Sequence, residues 1–235
     1  MSIPVLKVPT YKMTLPISKE EHEFRPFLVK EEKVLLMAKE SEDPVETFAA
    51  FNDIIKSCTF GKFDPKKYSS VDMEYAFLQI RGKSIGEDIE LNLICPDKEC
   101  KKKTFVRLNI NDFEVEHDET IKNIVELDDG ISVSLRYPGI EEIGKILKDQ
   151  SEETIIKVIA ECVDYIYNQE ERVEITENDY EEVLQFINNL TLQNFYKFTV
   201  FYKNIPKYKK DIILDCNFCG KQSKVTVDGI TSFFV

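Results

Sequence analysis

The spacing of apolar positions changes period several times along the chain. From Leu28 to Ser57 it is helical, with Val34, Leu35 and Ala38 on one face and, after a break, Val45, Phe48, Phe51 and Ile55. Asp43 followed by Pro44 marks the start of the second of these helices, because a proline in the first turn forfeits no helical hydrogen bond. A third helix is predicted from Ser69 to Arg81, where Met73, Phe77 and Ile80 share a face, with Gly82 as its stop. The period then drops to two. Asp88–Ile94 and Thr104–Ile110 read as paired strands, and Gly130–Tyr137 reads as another through Ile131, Val133 and Leu135. Helical spacing returns in Ile143–Leu147, Ile155–Ile166, Tyr180–Ile187 and Leu192–Tyr202, and Pro206 closes this block. Thr176 with Asp179 resembles a capping box, and Thr191, although part of an Asn-Leu-Thr sequon, reads as a helix start. The first two dozen residues hold Pro4, Pro9 and Pro16 among β-favouring residues, which predicts an extended arm or edge strand that pairs with a partner or with the chain's own sheet.

Residues Asp211–Val235 repeat the organisation of Asp88–Val115. In each, an apolar strand reaches a cysteine, a second cysteine follows within a few residues, and a polar linker leads to an outgoing strand. Laying Cys100 on Cys219 brings Val106 onto Val225 and Leu108 onto Val227, with aromatic residues closing each unit at Phe113 or at Phe233 and Phe234. Two hairpins facing each other across a shared metal fit this pattern. The expected fold is α+β: a four-cysteine, zinc-ribbon-like β unit made of two separated hairpins, with a mainly helical insertion and further helices. The expected segments are an extended arm over 1–27, helices over 28–87, the first hairpin over 88–115, a strand plus helical insertion over 116–206, and the second hairpin over 207–235.

The cysteines carry the clearest chemistry. Cys95 and Cys100 enclose four residues, Cys216 and Cys219 enclose two, and 115 residues separate the pairs. Each tight turn aims two sulfurs at one point, and two such turns complete the tetrahedron that zinc prefers. Gly220 lets the backbone bend under the metal and lets amides approach the thiolates. Four thiolates leave no open coordination position, so the predicted zinc is structural. Cys58 and Cys162 lie on apolar helical faces and read as core residues.

Composition narrows the function. There are 31 Lys plus Arg against 43 Asp plus Glu, a formal charge of −12, which opposes phosphate binding. The two basic runs, Lys101–Lys103 and Lys207–Lys210, each read as solvated lysines beside a cysteine pair, and no nucleic acid is expected as a partner. No apolar stretch approaches the ~20 residues needed to cross a bilayer, so no membrane contact is expected. The N-terminus lacks the continuous apolar core of a secretory signal, which predicts a cytosolic protein and reduced thiols. His22 and His117 read as ordinary loop histidines. Gly82-Lys83-Ser84 imitates the end of a phosphate-binding loop, but Phe77 stands where the earlier glycine is required. No catalytic or cofactor-binding residue is assigned, and an enzyme is not expected.

Several phrases together resemble the hub protein family of T4-type tailed-phage baseplates. They are Phe24–Ala38 (FRPFLVKEEKVLLMA), Glu74–Glu87 (EYAFLQIRGKSIGE), both cysteine pairs and Gly229–Phe234 (GITSFF). The resemblance implies a non-enzymatic protein of the contractile-tail baseplate hub. It would be made in the host bacterial cytoplasm, act by contact with other baseplate hub proteins, and either remain in the virion or serve as an assembly factor. A zinc-ribbon adaptor for nucleic acid or the transcription machinery is the alternative that Lys101–Lys103 suggests, and a hydrolase with an unrecognised site is the third.

Overall fold

A computed structural model describes residues 6–40, 44–118, 120–168 and 170–228. Every strand pairing in it is antiparallel, helices and sheets are both abundant, and the fold is α+β.

Residues 1–5 of the predicted arm lie outside the described residues; the described part is extended and pairs with the chain itself, in a hairpin. Strand β1 (Tyr11–Thr14) pairs with β2 (Glu21–Phe24) in the register Tyr11↔Phe24 to Thr14↔Glu21, and it buries Met13, Leu15 and Phe24. The alternation of these residues with polar ones gives the hairpin one apolar face, and that face has a core to join. It packs with helices α2 (Pro44–Cys58) and α3 (Ser70–Ile85), whose inward residues include Phe51, Ile54, Ile55, Met73, Phe77 and Ile80. Removing residues 1–20 would therefore strip the first core of buried side chains.

Helix α1 (Val29–Glu40) is tied to this core by charge. Glu31 and Arg25 are both buried; Arg25 Nη2 donates to Glu31 Oε1 at 2.8 Å and to Ser57 Oγ at 3.0 Å, while Ser57 Oγ donates to Glu31 Oε1 at 2.8 Å.

Helix α3 is capped by Ser69, whose side chain accepts from the Asp72 amide at 3.2 Å. It runs past Gly82 and ends at Gly86, which has φ +111°. Gly82 is a packing glycine: a Cβ there would stand 2.6 Å from Cδ1 of the buried Ile110. Ser84 is likewise inside the helix, where its hydroxyl accepts the Phe27 amide at 2.8 Å, so Gly82-Lys83-Ser84 is no phosphate cradle.

Two hairpins follow the sequence pattern closely. Strands β3 (Asp88–Ile94) and β4 (Lys103–Asn109) pair from Asp88↔Asn109 to Ile94↔Lys103. Strands β10 (Lys207–Asp215) and β11 (Gln222–Asp228) pair from Lys209↔Asp228 to Asp215↔Gln222. The link between the two is β5 (Glu114–Glu116), which leaves the first hairpin and pairs with β10 through Tyr208↔Val115. Tyr208 is buried, and its hydroxyl donates to the Ile110 carbonyl at 3.2 Å. The aromatic segment Phe233–Phe234 lies outside the described residues.

The insertion between the hairpins is mainly helical as expected, but it carries more than the one predicted strand. It holds a four-stranded sheet in the order β6 (Ile124–Glu126), β7 (Ser132–Leu135), β8 (Val163–Tyr167), β9 (Arg172–Glu174). Around it lie α4 (Ile140–Lys148), α5 (Glu152–Glu161), α6 (Tyr180–Asn188) and α7 (Leu192–Lys203). The helix expected to reach Ile166 stops at Glu161, because Val163, Tyr165 and Ile166 favour an extended backbone; all three pair with β7, and Tyr165 and Ile166 pair with β9 as well. Val125, Val133, Leu135, Ile159, Phe198 and Phe201 form a second core. The capping box forms as expected, with the Thr176 amide donating to Asp179 at 2.8 Å, and Thr191 caps α7.

Helix α4 joins the two cores. Its Gly144 lies against Phe48 of α2, where a Cβ would meet the ring at 2.6 Å. Alanine is the better helix former by about 1 kcal/mol, yet the buried ring cannot retreat. Gly144→Ala is expected to destabilise the protein by about 1–2 kcal/mol in a denaturant melt.

Candidate metal centre

The two cysteine turns meet although 116 positions separate Cys100 from Cys216. Each turn closes on itself first. The Cys95 amide donates to the Lys102 carbonyl at 2.9 Å and the Cys100 amide to Asp97 at 3.1 Å; across the site the Cys216 amide donates to Lys221 at 3.1 Å and the Gly220 amide to Cys216 at 2.9 Å. The residue after the second cysteine is left-handed in both turns, with φ +47° at Lys101 and +69° at Gly220. This equivalence matches the internal repeat, and Gly220 occupies such a backbone without the Cβ clash that an L side chain brings. Gly220→Ala is expected to lower the melting free energy by about 1 kcal/mol, from backbone strain alone, since open space surrounds the position.

The four sulfurs lie within 4.8 Å of one another. Cys95 Sγ is 3.8 Å from Cys219 Sγ, and Cys100 Sγ is 3.7 Å from Cys216 Sγ. A regular tetrahedron of thiolates around zinc, with bonds of ~2.3 Å, has sulfur–sulfur edges of ~3.8 Å. The donor set therefore fits a closed four-coordinate zinc site.

The surroundings fit as well. Backbone amides of Cys219 and Phe218 face the Cys216 sulfur and, with the Thr104 hydroxyl at 3.6 Å, hold its thiol down at about 6. The Asp97 amide acts in the same direction on Cys95, but burial and the adjacent thiols outweigh it and push Cys95 up to about 12. Four thiols crowded together cannot all ionise unless a cation balances them.

Cys95 and Cys216 are buried, Cys100 is half-buried and Cys219 is exposed. Asp97 and Lys221 form an ion pair that bridges the two turns, and Lys102 Nζ lies 4.9 Å above the Phe218 ring. These contacts and Thr104 escaped sequence reading. Asp97 is one of many carboxylates in an acidic chain, and nothing in its spacing marks it.

The other candidates are dispersed. Cys58 and Cys162 are buried far from the cluster in sequence and belong to the packed interior, where burial raises their thiols to about 11 and about 12. His22 lies on β2, not in a loop, with Nε2 3.0 Å from the Tyr68 hydroxyl; His117 sits in a loop, 3.0 Å from the Tyr137 hydroxyl. Lys207–Lys210 is not beside the cysteines. The run opens β10, about 20 Å of extended strand away from Cys216, and Lys209 pairs there with Glu116 at 2.9 Å.

A family model described as T4 bacteriophage base plate protein matches residues 8–235. The chain belongs to that family. It is a structural protein of a phage baseplate, and so of the virion tail. The match takes in the hairpins, the insertion and all four clustered cysteines of this baseplate protein. No curated protein and no solved structure matches the chain. No described helix of the baseplate protein is long and apolar enough to cross a membrane.

Proposed function

We propose that this baseplate protein is a hub component or hub-assembly factor whose two β hairpins are fastened by one structural zinc on Cys95, Cys100, Cys216 and Cys219. The convergence of four sulfurs from two distant turns at tetrahedral spacing carries the zinc part of this reading. When bound, the ion would supply only charge balance and a cross-link, because four protein sulfurs fill its coordination shell. The hub part rests on the resemblance of Phe24–Ala38, Glu74–Glu87 and both cysteine turns to the hub protein family.

In this reading the protein acts by surface contact with other hub proteins and catalyses no reaction. The histidines are engaged with tyrosine hydroxyls, and the strongest cluster of reactive side chains is committed to holding a metal. The nucleic-acid alternative finds little support. At the cysteine turns Lys221 is neutralised by Asp97, and the chain as a whole carries −12. Assembly in the host cytoplasm follows from this reading, since a reducing compartment keeps thiols available for zinc.

Affinity capture of the tagged chain from infected cells tests the hub assignment. Hub proteins are expected in the eluate, and capture of peripheral baseplate proteins without hub proteins would contradict it.

A further inference from the structure

Two helices on different cores show their apolar residues to solvent. Helix α1 points Glu31, Leu35 and Ala38 inward and leaves Val29, Leu36 and Met37 exposed by 69%, 58% and 71%. Helix α7 points Asn194, Phe198 and Phe201 inward and leaves Leu192, Tyr196 and Val200 exposed by 88%, 62% and 38%. A surface helix normally does the reverse on its outer face. Exposed apolar residues scattered singly need no explanation, but their recurrence along one face of each of two helices does.

The stripes match in length and phase. Each helix has 12 residues, a span of about 18 Å. The outward positions of α1 are Val29, Lys33, Leu36, Met37 and Glu40; those of α7, at the same spacings, are Leu192, Tyr196, Thr199, Val200 and Lys203. Laid parallel, Val29 meets Leu192, Lys33 meets the Tyr196 ring, Leu36 and Met37 meet Thr199 and Val200, and Glu40 meets Lys203. This brings a cation onto an aromatic face and an acid onto a base.

The alternatives are poorer. Antiparallel pairing sets Glu40 against Leu192 and Lys203 against Val29. Parallel pairing of α7 with α7 opposes Lys203 to itself, and of α1 with α1 opposes Lys33 to itself and Glu40 to itself. Helix α7 has no acidic residue at all, in a chain that carries −12, so the base at its end finds its counterpart on α1 and not on its own kind.

We infer that α1 of one copy of this chain packs against α7 of the next, making a head-to-tail contact between copies. Such a contact uses two different faces, so every copy keeps one face free after the first contact forms, and association continues until a ring closes or a chain terminates. A single helix pair lies at the weak end of specific interfaces, so the self-association is read at high protein concentration.

Sedimentation velocity on the purified, metal-loaded chain tests this up to roughly 300 µM, well above the Kd expected of a weak contact. Species larger than a dimer are expected to grow with concentration. Met37→Asp and Tyr196→Asp alter exposed side chains, and their melting temperatures and circular dichroism confirm that each still folds. Each variant alone is expected to stay monomeric. Mixed in equal amounts they are expected to form a dimer and nothing larger, because one retains α7 and the other retains α1. Glu40→Lys is expected to weaken association by about threefold to tenfold, and adding Lys203→Glu to the same chain to restore it.

A monomeric wild type at the highest concentration would overturn the inference, whatever other protein covers these stripes. Dimerisation of either variant by itself would also overturn it, by showing that like faces pair. Failure of the mixed variants to dimerise would do the same.

Discussion

Removing zinc is expected to open the cysteine ends of the two hairpins while leaving both cores folded. Zinc binding to small cysteine-rich folds is worth ~10–16 kcal/mol, and in an isolated finger all of it is folding energy. Here only part of it reaches the fold. The first core is built on the β1–β2 hairpin, α2 and α3, joined by Ile89, Leu91, Tyr208 and Val227 from the two cysteine hairpins, and the second contains the β6–β9 sheet with α5 to α7; the cysteine turns themselves lie outside both. The bases of the two hairpins are also held independently, by the β5–β10 pairing and the Tyr208 hydrogen bond. The loss should therefore be local, in the turns and in the adjoining ends of β3, β4, β10 and β11. Hydrogen exchange after chelation is expected to show amides near Cys95, Cys100 and Cys216 losing protection by roughly tenfold or more, with Phe51, Phe77 and Phe198 keeping theirs. Cys216→Ser should reproduce that pattern without a chelator. Global unfolding on chelation would mean that the ion supports the cores as well.

Glu31→Ala is expected to destabilise the whole protein by about 3–5 kcal/mol, the cost of stranding a buried charge. Arg25 would lose its carboxylate partner in a site where its own side chain is only 10% exposed. Replacing both residues, Arg25→Met with Glu31→Leu, should cost much less, because no charge is then left unpaired. Acid adds a second readout. Burial alone would raise the Glu31 carboxyl, but hydrogen bonds from Arg25, Ser57 and the Leu28 amide outweigh it and hold it at about 2. The folded value lies below the unfolded value of ~4.3, so this contribution is fully present above about pH 5 and is lost as pH falls toward 2. Denaturant melts of wild type should weaken steeply over that window, and those of Glu31→Gln should be flatter there.

The features legible in the sequence were those in which local pattern and tertiary environment agree. Asp88–Ile94 alternates cleanly because one face of β3 is buried and the other wet, and its limits were readable to the residue. The convergence of Cys95, Cys100, Cys216 and Cys219 was readable because two tight turns at ligand spacing have few other uses. Segments failed where one pattern serves two structures. Ile155–Ile166 carries apolar residues that satisfy a helix throughout, and only the sheet waiting at β7 and β9 draws its second half into a strand. Gly82 illustrates a different limit: a glycine near a helix end reads as a stop, but Ile110, distant in sequence, requires the missing side chain. Partners such as Asp97 with Lys221 depend on the meeting of the two turns and have no local signature.

The zinc clip is tested most directly by native mass spectrometry of the freshly purified, reduced chain with no chelator present. A mass equal to the chain plus one zinc ion is expected, falling to the bare chain in the double variant Cys95→Ser with Cys216→Ser. Bare wild-type chain under those conditions, or a zinc adduct that survives in the double variant, would contradict it.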